Sequence, residues 1–163
     1  MNRLTRFGVA AAFAAVSAVA FSQAGPGGPP SPEAQAKSAI EARQGLFKLI
    51  ANQNGAIGAM ARNQAPFDAE VVARNAGRIK VLAEMAPELF TRDTREFKTI
   101  KSLALDSIWA SQADFKTKAD ALAAAADAVA VAAKTGDKAA TLAAYANVGK
   151  ACGSCHDAFR AKP

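Results

Sequence analysis

The chain has 163 residues, 51% of them hydrophobic, but only one His and two Cys, so most metal-cluster and triad chemistries lack the side chains they require. Apolar content dominated by Ala and Leu, with 7% aromatic and 21% charged residues, suits one small domain of packed helices. The net charge of +6 falls to +4 without Arg3 and Arg6, leaving 18 basic against 14 acidic residues; these alternate in sign with no interleaved aromatics, which argues against a nucleic-acid partner.

Residues 1–24 read as a secretory signal peptide: basic MNRLTR, an apolar run from Phe7 to Phe21, then small residues ending at Ala24. The apolar run is shorter than the roughly 20 residues of a membrane span, so the mature chain is expected to be periplasmic without a span. A Gly/Pro-rich linker, 25–32, precedes a single domain over 33–163. Its first helix is predicted from Glu33 to Arg62, with Ile40, Phe47, Ile50, Asn54, Ile57 and Ala61 on one face. Gly45, Gly55 and Gly58 weaken that helix by about 1 kcal/mol each relative to Ala, so a close neighbour, in the chain or in a second subunit, is expected there.

Pro66 breaks the chain, Asp68 caps a second helix, and the period resumes through Asn75, Ile79, Leu82 and Ala86. From Pro87 to Ala110 the pattern is irregular and reads as a long connection with a short helical turn, against which Trp109 packs. Ser111 with Asp114 resembles a capping box opening a third helix, with Phe115, Leu122, Ala125, Val129 and Ala132 inward and Gly136 as terminator. Asp137 caps a fourth helix carrying Leu142, Tyr145, Val148, Cys152, Cys155 and Phe159 on one side. Four amphipathic helices with mostly short turns make an all-α, antiparallel four-helix bundle, and Ala125, Val129 and Tyr145 are expected to line its cavity.

Cys152, Cys155 and His156 form a C-x-x-C-H pattern, in which two thiols add across the vinyl groups of haem and the adjacent imidazole binds iron. On a helix, residues three and four apart share a face, so all three project toward the bundle interior. A structural disulfide is chemically allowed in an oxidising compartment. A thioredoxin-like pair lacks its βαβ setting, and structural zinc lacks a fourth ligand.

With these residues in hand, the chain resembles the cytochrome c′ family, the class II c-type cytochromes. The resemblance runs from about Ser38 to Lys162, through ARQGLFKL, GAIGAM, IW followed by DFK, and VGKACGSCHDAFR, the last being the most specific. It implies one covalently bound haem c, attached at Cys152 and Cys155, with His156 as axial ligand. Low-spin relatives present a Met sulfur four residues after an Arg in the first helix; here Arg43 is followed by Phe47, which cannot donate to iron. Met60 lies 13 residues further on, roughly 20 Å along the axis, and only Met85 is left open as a ligand. The resemblance therefore implies a five-coordinate, high-spin haem with a closed apolar distal face that binds small gases, nitric oxide above all.

Arg43 shares a seam with Ile40 and Phe47, where a buried guanidinium needs a partner; a haem propionate or a nearby Glu would serve. The resemblance places Gln44 beside the haem and Arg160, four residues after His156, near the proximal pocket. Function divides between electron transfer to an unknown redox partner and gas binding, with a low-spin six-coordinate electron carrier as the alternative. A peroxidase-like enzyme lacks a distal His and Arg pair, and no paired carboxylates support hydrolysis. The resemblance also implies a homodimer through the first two helices.

Overall fold

The computed structural model describes residues 28–162; the predicted signal peptide, 1–24, lies outside the described residues. Four long helices, α1 (Pro32–Ala61), α2 (Ala69–Leu89), α4 (Gln112–Ala133) and α5 (Lys138–Phe159), form an antiparallel four-helix bundle, with a single turn, α3 (Ser107–Ala110), before α4. α2 packs against α1 and α4, and α4 packs against α5.

The helix starts follow from local chemistry. The side chains of Ser31, Asp68 and Asp137 accept the free amides of Ala34, Val71 and Ala140 at 3.2, 3.0 and 3.0 Å. Pro32, whose missing N–H would be unpaired anyway, opens α1. Gly136 takes a left-handed φ of 76° in the short turn between α4 and α5. Ser111 does precede α4, but its side chain makes no capping bond: its backbone, at φ −138° and ψ 53°, is already committed to closing α3, where its amide donates to the Ser107 carbonyl. α2 runs two residues past Pro87, although that residue lacks the N–H the helical ladder would use there.

At one end the four helices close on small and branched residues. Ile57, Val72, Ala76, Ala126, Val129, Ala130, Ala133 and Val148 are all buried in one cluster. Full burial of Ile57 alone is worth about 1.5–3 kcal/mol. At the other end Phe90, Ile108, Phe115 and Phe159 form a second cluster, with Phe115 edge-on to both Phe90 and Phe159 at 4.8 and 5.4 Å between ring centroids.

α1 and α5 meet through Tyr145, whose hydroxyl donates to Asn54 Oδ1 at 2.9 Å. Gly58 admits that hydroxyl, because a Cβ there would lie 3.2 Å from it. Within the chain the expected close neighbour is met at Gly58 alone: Gly45 and Gly55 have nothing of this chain within 4 Å of an added Cβ.

Candidate haem site

Seven residues before Asn54 stands Phe47, and seven after Tyr145 stands Cys152. Because the two helices run antiparallel, the pair that joins them at Tyr145 also sets Phe47 and Cys152 on facing walls two turns away. Both line a cavity of about 630 Å³, within the range of cofactor sites. Ile40, Ile50, Ile79, Phe90, Phe115 and Leu122 give it apolar walls.

Cys152, Cys155 and His156 all face this cavity from α5. The cysteines are free thiols and half-buried, and burial raises the pKa of both, opposed at Cys155 by the cation of Lys118. His156 is exposed at the rim; partial desolvation and then Arg160 hold its pKa below the usual imidazole value, against Asp157. An imidazole kept neutral is the form that binds a metal. The site therefore fits a flat apolar macrocycle: thiols for covalent attachment and a neutral nitrogen on one wall, aliphatic and aromatic surface on the other.

The polar rim brings the remaining predicted residues to the same place. Gln44, Lys48 and Arg160 line the cavity, and Gln44 donates to the Lys101 carbonyl at 3.1 Å. Lys48 and Arg160 are exposed and enter no ion pair among the described residues, which suits them to a propionate. Arg43 is 3% exposed, so pairing with a Glu in solvent does not hold. The chain itself supplies its partners: Nε donates to Leu89 O at 2.8 Å, Nη1 to Thr94 Oγ1 at 2.8 Å and Nη2 to Arg92 O at 2.6 Å.

Three expected cavity residues lie elsewhere. Ala125, Val129 and Tyr145 belong to the packed end, because Leu122 and Val148 are the last residues of α4 and α5 in that direction to reach the cavity. Met85 is 45% exposed on α2 and Met60 is buried in the packed core; neither lines the cavity. Sequence reasoning missed the wall built by Leu103, Ala104 and Ile108, which come from the irregular connection. It carries no periodicity by which an inward face could be recognised. Asn54, by contrast, stood on the predicted face and could have been found there.

A four-helix bundle that presents a C-x-x-C-H turn to an apolar, cofactor-sized cavity defines a bundle-type c cytochrome. The family model described as Cytochrome C' matches residues 38–160. The chain is 43% identical over 124 residues to cytochrome c' of Rubrivivax gelatinosus, covering 76% of this chain and 95% of that one. Cytochrome c prime from Shewanella frigidimarina superposes with a TM-score of 0.71 at 38% identity, covering 78% and 97% of the two chains. A nitric oxide complex of a cytochrome c prime variant from Alcaligenes xylosoxidans does so with a TM-score of 0.69 at 31% identity, covering 78% and 97%. The chain belongs to the cytochrome c′ family, and its cofactor is one covalently attached haem c.

Proposed function

We propose that this chain is a periplasmic cytochrome whose haem is five-coordinate, high-spin and open to nitric oxide, and which also passes single electrons. One observation carries the reading: the cavity that His156 enters is faced by Phe47, and no thioether or second imidazole lines it among the described residues. Bound haem would supply a reversible one-electron iron couple and an open coordination position.

The protein's own part is positional. Cys152 and Cys155 would hold the macrocycle through two thioether links, one helical turn apart, and His156 would supply its Nε2 or Nδ1 to the iron. Phe47, Ile40 and Ile50 line the cavity and offer no hydrogen bond, which favours ligands that need none, although Phe47 is 38% exposed and does not close that face by itself. Lys48 and Arg160 would neutralise the propionates at the rim. The signal segment gives the export route that covalent attachment outside the cytoplasm requires, and no described helix is long and apolar enough to cross a membrane.

Ferric and ferrous absorption spectra, with and without nitric oxide, test this directly. High-spin spectra that change on adding the gas are expected; a low-spin, Met-ligated signature in the untreated protein would overturn the reading. Phe47→Met is expected to move the spectrum toward that low-spin signature.

A further inference from the structure

The connection between α2 and α3, residues 90–106, is a strap that closes one side of the cavity, and it is fastened at two points. At its near end the buried guanidinium of Arg43 reaches across from α1. It engages the last carbonyl of α2, Leu89 O, then Arg92 O and Thr94 Oγ1, so each of its three nitrogens has an acceptor on the strap or its root. The guanidinium also lies over two adjoining rings, its Cζ 4.6 Å from the centroid of Phe90 and 5.3 Å from that of Trp109. Trp109 in turn donates to Arg92 O at 3.2 Å.

At its far end the strap pairs with the end of α5. Leu105 N donates to Phe159 O at 3.0 Å and Ala161 N to Leu103 O at 2.8 Å, around a bridge between Ala104 and Arg160. Ser107 Oγ adds a bond to Ala158 O at 2.8 Å. The strap thereby satisfies carbonyls that the end of a helix would otherwise leave open. Arg160, bridged to the strap, donates its own amide to His156 O at 3.0 Å. A second route joins the same two places through packing, from Arg43 onto Phe90, then Phe115, then Phe159.

We propose that Arg43 is a positioning residue: by fastening the strap and the aromatic stack it fixes the turn from His156 to Ala161, and so the orientation of the imidazole presented to the iron. Both routes run from a residue on one wall of the cavity to the turn on the other. The inference rests on His156 being the axial ligand. It differs from a role in which Arg43 merely pairs with a haem carboxylate, because three of its five N–H groups are already spent on the chain. A lysine would serve a carboxylate but cannot reproduce a planar fork that reaches three acceptors at once.

The test uses the holoprotein with Arg43→Leu, Arg43→Lys and Thr94→Val. Two readouts are taken: amide hydrogen exchange at Leu105 and Ala161, and the iron–imidazole stretching band of the ferrous protein by resonance Raman. In Arg43→Leu, protection of the two amides is expected to fall by roughly tenfold or more, as for loss of a hydrogen bond to a charged group. The iron–imidazole band is expected to shift with it. Arg43→Lys is expected to track Arg43→Leu, and Thr94→Val to show the same changes at smaller size.

Should Arg43→Leu fail to fold, Thr94→Val and Arg43→Lys carry the test. Wild-type protection or an unshifted band in all folded variants would overturn the proposal, and so would full recovery by Arg43→Lys. A wild-type protein with no iron–imidazole band at all would instead overturn the assignment of His156, on which the inference stands.

Discussion

The two ends of this bundle are built from the same four helices and differ in the size of what lies between them. At the end where α1 turns into α2 and α4 into α5, the facing positions are Ala76, Ala126, Ala130 and Ala133, and the helices close with Ile57 and Val129 filling the remainder. At the other end Phe90, Phe115 and Phe159 stand between the helices, and the cavity opens beside them. Side-chain volume decides the matter: alanine lets helix backbones approach, whereas aromatic pairs packed edge to face hold them apart and leave room beside the rings. One end is therefore a fastening, and the other a container.

The sharpest separation of the two comes from the container's chemistry. Replacing Cys152 and Cys155 together by Ser is expected to abolish covalent haem attachment, seen as loss of the haem mass from purified protein, while leaving the packed end intact. Next in size is the fastening itself. Ile57→Ala, at a position 1% exposed, is expected to lower stability by about 2–5 kcal/mol in denaturant unfolding, with the cavity's residues untouched.

Smaller effects refine the boundary. Tyr145→Phe removes the hydrogen bond to Asn54 that joins α1 and α5 and is expected to cost about 1 kcal/mol, with a smaller change in the haem spectrum than Phe47→Met. Smallest, and opposite in sign, are Gly45→Ala and Gly55→Ala, whose added methyl groups meet open space; each is expected to stabilise the chain by roughly 0.5–1 kcal/mol. Sedimentation of the same two variants checks whether either glycine is kept open for a second subunit: a weakened dimer would show that it is.

Periodicity and capping residues made most of the bundle legible. Asp68, Asp137 and Gly136 act where their chemistry predicted, because caps and left-handed turns depend on a few neighbouring residues. The Ser111 cap failed for the opposite reason: a preceding turn, α3, had already claimed its backbone. Arg43 was legible as a buried cation in need of acceptors, but not which acceptors, since Thr94 lies 51 residues away in a segment without periodic pattern.

By itself, then, the sequence determined the four helices, the C-x-x-C-H turn and the absence of a sulfur donor four residues after Arg43, all of which are local in the chain. Only the tertiary structure decided that Tyr145 fastens α1 to α5 in place of lining the cavity, and that the strap over residues 90–106 supplies a cavity wall. Both depend on contacts between segments far apart in the chain, the Tyr145–Asn54 pair in one case and the bonds from the strap to α5 and Arg43 in the other, which leave no mark on the spacing within any one helix.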